Sequence, residues 1–131
     1  MDKFELQKRT KQFALRVLKL VAALPKDAPG RAIAHQLTRS GTSVGANYRA
    51  SCKARSRAEF VAKIGVVEEE ADESAYWMEL IIEGSLLKPR LVAALLGEAN
   101  ELTAIMAASR RSAARGLRSS NNRQSAIGNR Q

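Results

Sequence analysis

Residues 37–50 read Leu-Thr-Arg-Ser-Gly-Thr-Ser-Val-Gly-Ala-Asn-Tyr-Arg-Ala, and this stretch decides the fold. Small and apolar side chains recur in it at helical spacing, with Leu37, Ser40, Val44 and Asn47 on one stripe and Gly41, Gly45 and Tyr48 on the next. A glycine inside a helix costs about 1 kcal/mol relative to alanine, so two on one face indicate close contact with a neighbouring helix. The alternative is a loop at the glycines, which the lack of a proline or a turn dipeptide disfavours.

Two other uses of paired glycines fit this stretch poorly. A phosphate-binding loop would need a Gly-Lys-Ser/Thr sequence after a strand, and neither is present. A glycine pair that joins two membrane-spanning helices would need an apolar segment of about 20 residues. Arg39 and Arg49 flank the glycines too closely for that, so helix–helix packing is the remaining interpretation.

Apolar residues follow a helical period in four segments of the chain, residues 4–24, 31–54, 57–83 and 89–111. Helix-starting or helix-stopping residues mark their boundaries, namely Pro25, Pro29, Ser56, Gly84 and Pro89. The sequence shows no strand pattern and no internal repeat. Four helices with short connections predict an all-α fold, an antiparallel up-down four-helix bundle that occupies residues 1–111.

The residues expected to pack the second helix against its neighbours come mostly from the central stretch. They are Arg39, Ser40, Gly41, Ser43, Val44, Gly45 and Asn47, with Trp77 from the third helix. Arg39 directly precedes a residue of the small stripe, so we expect it to pair with carboxylates on the third helix, as a buried arginine would require. Because adjacent helical residues point about 100° apart, either Tyr76 or Trp77 must face outward or toward a partner chain.

The net charge of +9 is unevenly spread along the 131 residues. Residues 109–131 contain six arginines and no acidic residue, whereas the preceding 108 residues hold 16 basic and 13 acidic groups. The folded part is therefore near neutral. The apolar period fades after residue 111, and the segment 112–131, rich in Ser, Asn, Arg and Gln, is predicted to be a basic, disordered tail.

Basic side chains cluster around the predicted turn between the second and third helices, where Glu59 is the one acidic residue. We interpret this cluster as a phosphate-contacting surface, which assembly into a ring would multiply. The candidate nucleic-acid-binding residues are Arg49, Lys53, Arg55, Arg57 and Lys63, joined by Arg110, Arg111, Arg115 and Arg118. Tyr48 is the one aromatic residue among them, so binding to RNA or DNA would be largely electrostatic. A merely solvated basic surface is the alternative.

No set of residues in the sequence supports catalysis. The acidic run at residues 68–73 lacks the Glu-x-x-His pairs of bundle metal sites, and the only histidine, His35, lies on another helix. Cys52 lies on the apolar stripe, four residues after Tyr48, and is interpreted as a small core residue rather than a nucleophile. The sequence therefore predicts no enzyme, no metal site and no cofactor. A single cysteine, a charged N-terminus and no visible membrane span lead us to expect a cytoplasmic protein without a membrane partner.

Two motifs stand out within residues 4–108. One is Leu37-x-Arg39-Ser40-x-x-Ser43-Val44-x-Ala46-Asn47, and the other is Phe60-x-x-Lys63 followed by Glu69-x-Ala71-x-Glu73-x-x-Tyr76-Trp77 and Leu80-Ile81. Both resemble a bacterial four-helix-bundle family first associated with intervening sequences of large-subunit ribosomal RNA genes. The resemblance implies a small cytosolic protein, and some members form homopentameric barrels. Related accessory proteins of retroelements, which promote sequence variability, bind nucleic acid and reverse transcriptase.

The resemblance also implies a homo-oligomer, a ring of five copies, which agrees with the wide apolar stripes of the first and fourth helices. We expect a non-catalytic, self-associating bundle that binds nucleic acid or a ribonucleoprotein through basic surfaces. The competing hypothesis is a protein–protein adaptor or scaffold whose basic residues have no nucleic-acid role.

Overall fold

The computed structural model describes residues 1–128, and the side chains of residues 1–123. This part of the chain forms four α-helices and no strand: α1 at Lys3–Ala22, α2 at Ala28–Ser51, α3 at Arg57–Glu83 and α4 at Pro89–Gly128. Each helix packs against the next one along the chain, and α1 closes the bundle against α4. The predicted all-α fold of four helices is confirmed.

Side-chain caps fix where the first three helices begin. The carboxylates of Asp2 and Asp27 and the hydroxyl of Ser56 each accept a hydrogen bond from a backbone N–H three residues later. Asp27 starts α2 at Ala28, so the helix begins before Pro29 rather than at residue 31. α1 ends at Ala22 and α2 at Ser51, slightly before the predicted ends at residues 24 and 54, while α3 has the predicted bounds.

The end of α3 uses a different residue from the one predicted. Gly84 follows the helix with an ordinary φ of −84°, and Ser85 takes the left-handed conformation with a φ of 56°. The N–H of Leu86 then donates to the carbonyl of Ile81 at 2.9 Å. This is the six-residue hydrogen bond that closes many helix ends, so the predicted stop is correct and its left-handed residue is Ser85.

The fourth helix is longer than predicted, because it continues to Gly128 instead of ending near residue 111. It runs antiparallel to α3 and continues past the start of that helix. Gly116 lies against the guanidinium of Arg57 at the start of α3, and Leu117 is half-buried. Residues 112–117 therefore belong to the bundle and not to a disordered tail. Residues 129–131 of the predicted tail lie outside the described part of the chain.

The two glycines of the central stretch face α1. A Cβ atom added to Gly41 would lie 2.8 Å from both methyl carbons of Val17, and one added to Gly45 would lie 3.3 Å from the carbonyl oxygen of Thr10. Residue numbers rise along α2 as they fall along α1, so the pair is antiparallel. α2 is continuous through both glycines. Helix–helix packing is therefore confirmed, and the alternative of a loop is wrong.

Polar residues of the central stretch make the contacts on the other side of α2. The buried hydroxyl of Ser74 on α3 donates to the hydroxyl of Ser40 at 2.9 Å. Arg39 pairs with Glu70 at 3.1 Å and also with Glu73. The predicted ion pairing of Arg39 is thus confirmed, and its side chain remains 44% exposed.

The remaining packing candidates occupy intermediate and buried positions. Val44 is fully buried in the core. Asn47 and Ser43 are half-buried, and the Asn47 amide donates to the Ser43 carbonyl at 2.9 Å within the same helix. Trp77 is half-buried and packs on the core, while its neighbour Tyr76 is 51% exposed. Their rings meet edge to face at 5.1 Å, and the outward-facing member of the pair is therefore Tyr76.

A bidentate ion pair closes α1 against α4, the two neighbouring helices with the least contact. The guanidinium of Arg9 donates to both carboxylate oxygens of Glu98, at 2.7 and 2.6 Å, and to Glu101 at 2.8 Å. The hydrogen bond from Arg9 holds the pKa of the Glu98 carboxyl below its ordinary value of 4.5. Charge-assisted, bidentate bonds of this kind fix orientation as well as distance.

By length and composition alone, α4 could also cross a membrane. The sequence pattern did not lead us to expect this. The core helix of a bundle meets the same criterion, and Val92, Ala99 and Leu102 are fully buried against the other helices. Glu98 lies on the same segment and is paired across the bundle with Arg9. These contacts place one face of α4 in the core of the bundle, while 28% of the apolar window as a whole is buried within the chain.

Candidate nucleic-acid interface

The turn between α2 and α3 positions the predicted basic cluster. The hydroxyl of Ser56 accepts the N–H of Glu59 at 3.1 Å, and the carboxylate of Glu59 accepts the N–H of Arg55 at 3.1 Å. The predicted capping box is therefore formed, with the glutamate reaching one residue further back than expected. These bonds hold the backbone of Arg55 and the start of α3 in one fixed arrangement.

Four of the five cations predicted at this turn are exposed, namely Arg49, Lys53, Arg55 and Arg57. Among the described residues, none of the four has a carboxylate within salt-bridge distance. Lys63 differs, because it is half-buried and lies 3.9 Å from Glu59, one helical turn earlier. Glu59 therefore both caps α3 and partly neutralises Lys63, which leaves the other four cations to define the surface.

The length of α4 brings a second set of cations to the same end. α4 passes beside the start of α3, and Gly116 leaves room there for the guanidinium of Arg57. Arg115 adjoins this glycine, and Arg111, Arg115 and Arg118 are exposed at helical spacings of four and three residues. Such spacing places the three side chains on one face of the helix. We call the set of exposed cations at this end the basic end: Arg49, Lys53, Arg55, Arg57, Arg111, Arg115 and Arg118.

Arg110, the remaining predicted cation, points away from this face. Its guanidinium donates to the carboxylate of Glu68 on α3 at 2.6 Å, and this hydrogen bond raises the pKa of Arg110. A guanidinium engaged by a carboxylate would have to break that pair before it could bind a phosphate. The structure therefore assigns Arg110 to the contact between α3 and α4.

Tyr48 does not supply an aromatic surface at the basic end. Its side chain is only 6% exposed and packs in the core, and burial raises the pKa of its phenol. Cys52 beside it is half-buried and packs against the same core. The ring of Tyr48 is therefore not available for stacking on a base.

An adjoining groove between α1 and α2 was not anticipated. It has a volume of about 480 Å³, and its lining includes Lys8 and Lys11 of α1 together with Arg49 of α2. Phe4, in the first turn of α1, stands at this groove with 69% of its surface exposed. Lys8 and Lys11 lie on the outward face of α1, and an antiparallel neighbour carries Arg49 to them. The sequence could have indicated the groove, because antiparallel packing of the first two helices places Arg49 next to Lys8 and Lys11.

The acidic run of α3 is divided among structural roles. Glu68 binds Arg110, and Glu70 and Glu73 bind Arg39. Within the described part of the chain, no group of three or more His, Cys, Asp and Glu residues is arranged to hold a metal ion. His35 is exposed on α2. The functional groups that the described surface presents are therefore those of the exposed cations, whose guanidinium and ammonium groups can bind phosphate.

Comparisons with known proteins agree with this helical architecture. The chain matches the family model of the 23S rRNA-intervening sequence protein over residues 2–108. It is also similar to the crystal structure of a protein of unknown function from the S23 ribosomal protein family of Bacteroides thetaiotaomicron, with 29% sequence identity and a TM-score of 0.74. That similarity covers 79% of this chain and 96% of the other. A comparison with curated proteins gave no match. The chain therefore belongs to the family of 23S rRNA-intervening sequence proteins.

Proposed function

We propose that this protein is a non-catalytic, self-associating bundle that binds nucleic acid or a ribonucleoprotein through its basic end. The observation that carries the proposal is a cluster of seven exposed cations, which come from the end of α2, the following turn, the start of α3 and a segment of α4 beside them. Arg9, Arg39 and Arg110 pair with carboxylates elsewhere on the bundle, and Lys63 pairs with Glu59 beside the turn. Phosphate binding through such a surface releases counterions and depends steeply on salt.

Self-association is supported by apolar side chains that face outward. Leu15 and Leu18 on α1 are 52% and 43% exposed, and Leu91 at the start of α4 is 49% exposed. Leu15 and Leu18 lie on the face of α1 opposite Phe13 and Val17 of the core. Association of several copies through these leucines would bring several basic ends together, and binding by several ends at once would strengthen the contact with a long nucleic acid.

The test compares two triple variants that change the net charge equally. Arg55→Glu, Arg57→Glu and Arg115→Glu reverse charge at the basic end, whereas Lys19→Glu, Arg31→Glu and Lys88→Glu reverse exposed cations at the other end. We expect the first set to weaken binding of a labelled RNA by at least about tenfold at low salt, because contacts with phosphates are lost. The salt slope should also become shallower, by about 0.7–0.9 for each lost contact. The second set should bind nearly as the unchanged protein does.

Equal losses in the two triple variants would mean that net charge alone drives binding, and the proposed surface would be wrong. The adaptor hypothesis is favoured by one observation, the outward-facing ring of Tyr76 beside the exposed Glu69 and Asp72 on α3. If the unchanged protein binds neither RNA nor DNA at low salt, the nucleic-acid proposal fails and the adaptor function becomes the better one.

A further inference from the structure

Phe4 is the most exposed large apolar side chain of the described residues, at 69%. It lies in the first turn of α1, on the side of the helix away from the core. The ammonium group of Lys3 lies 5.3 Å from the centre of its ring, a cation–π distance. An exposed apolar side chain is ordinary by itself, so its meaning depends on what surrounds it.

Phe4 stands at the wall of the basic groove between α1 and α2. Gly45 and Ala46 form part of its lining, so the floor is built from backbone and small side chains. Lys8, Lys11 and Arg49 line it as well, and no carboxylate does. Glu5, next to Phe4 in sequence, is exposed but is not part of the lining, and the carboxylate of Asp2 is occupied as the cap of α1. The volume of about 480 Å³ falls in the range of about 300–1,000 Å³ that is usual for ligand sites.

We propose that this groove binds single-stranded nucleic acid, with a base stacked on the ring of Phe4 and phosphates held by Lys8, Lys11 and Arg49. The inference rests on the proposed function and specifies the ligand of the groove as single-stranded rather than double-stranded nucleic acid. An exposed aromatic ring beside a cationic groove is the combination that holds single strands without sequence preference. In a duplex the faces of the bases are already stacked, so the ring would have no base to contact.

The groove is continuous with the basic end, and this continuity also supports a nucleic-acid strand as the ligand of the groove. Arg49 belongs both to the groove and to the basic end, so a strand lying in the groove passes directly to Lys53 and Arg55 at the turn. An acidic protein segment would satisfy the cations equally well, but it would have no planar base for the ring. The base is therefore the part of the ligand that distinguishes the two partners.

The test uses the full chain and two oligonucleotides of about twelve nucleotides, within the usual single-strand site sizes. One is oligothymidylate, and the other is an abasic strand with the same number of phosphates. Fluorescence anisotropy should show that the unchanged protein binds oligothymidylate at least about fivefold more tightly than the abasic strand, as stacking of one base allows. Phe4→Ala should remove this preference and leave abasic binding unchanged, whereas Phe4→Trp should retain it.

Two further variants separate charge from stacking. Lys8→Glu with Lys11→Glu should weaken binding of both oligonucleotides, because both carry the phosphates. Val66→Ala, which truncates an exposed apolar side chain on α3, is the control and should change neither affinity. Thermal unfolding of each variant should match that of the unchanged protein, since Phe4, Lys8 and Lys11 are all exposed.

Equal binding of the two oligonucleotides by the unchanged protein, or an unchanged preference in Phe4→Ala, would overturn the stacking site. Competition by an acidic peptide as strong as that by oligothymidylate would overturn it in favour of a protein partner. If RNA binding is lost on charge reversal at the basic end but is indifferent to the groove variants, this inference fails while the proposed function stands. If the unchanged protein binds no nucleic acid at low salt, both this inference and the proposed function are contradicted.

Discussion

Gly41 sets the distance between α1 and α2. A Cβ atom at this position would lie 2.8 Å from both methyl carbons of Val17, which is itself fully buried. The side chain of Val17 cannot move away from an added leucine without disturbing the core, because protein interiors are close-packed. We therefore predict that Gly41→Leu and Gly45→Leu each lower the free energy of unfolding by at least about 1–3 kcal/mol, as measured by urea denaturation.

Ala46→Leu is the matched control for these substitutions. Ala46 lies in the same helix and is exposed, so the change should stay within about 0.5 kcal/mol of the unchanged protein. If all three leucine variants are equally stable, the small stripe is not a packing face.

The role of these glycines could be predicted because a costly residue repeated on one helical face needs a compensating contact. The ion pairing of Arg39 was predictable for a similar reason, since α3 offers carboxylates to a neighbouring helix. The exposure of Arg39 and the capture of Arg110 by Glu68 were not. Periodicity gives the face on which a residue lies, but it does not give the rotamer or the partner that the side chain selects.

At the scale of whole helices, the weakest contact, between α1 and α4, depends on polar groups. Arg9 holds the pKa of Glu98 below its ordinary value of 4.5. A carboxyl whose pKa is lowered by folding contributes its full stability above about pH 4.5 and loses it as the pH falls through the folded-state pKa. We predict that the free energy of unfolding declines over this acidic window partly through Glu98.

Glu98→Gln isolates this contribution. At pH 7 the variant should lose about 1–3 kcal/mol, the usual cost of removing a charged hydrogen-bond partner. Urea denaturation from pH 7 down to about pH 3 should then show a shallower decline than in the unchanged protein. Glu83→Gln, at an exposed position on α3, is the control and should keep the full decline. A Glu98→Gln profile that is parallel to the unchanged one would contradict this role.

Helix identity and most helix starts followed from the sequence, because caps and prolines act locally. The length of α4 did not. Ala113, Ala114 and Leu117 are half-buried, and Gly116 contacts Arg57 at the start of α3, a contact between helices that local sequence patterns do not show. The groove beside Phe4 was missed for a related reason, because its cations come from two helices.

Over the whole molecule, charge and exposed apolar surface are unevenly placed. Leu15 and Leu18 lie away from the basic end, toward the second half of α1. We predict that light scattering gives a mass several times the chain mass of 14.3 kDa, with five copies expected from the family resemblance. Leu15→Glu combined with Leu18→Glu should lower this mass, because charge opposes burial of that face. A monomer at micromolar concentration in the unchanged protein would exclude the ring.

The basic end lies on the bundle, whereas residues 119–128 extend α4 beyond the start of α3. The central claim is that the bundle itself binds the phosphates. Its most direct test is a salt titration of RNA and DNA binding by the chain that lacks residues 119–131 and retains Arg115 and Arg118. We predict measurable binding at low salt, with a slope of log K against log[salt] steeper than about −3, as more than three phosphate contacts require. If this shortened chain binds neither RNA nor DNA at low salt while the full chain does, residues 119–131 are required for binding and the claim is contradicted.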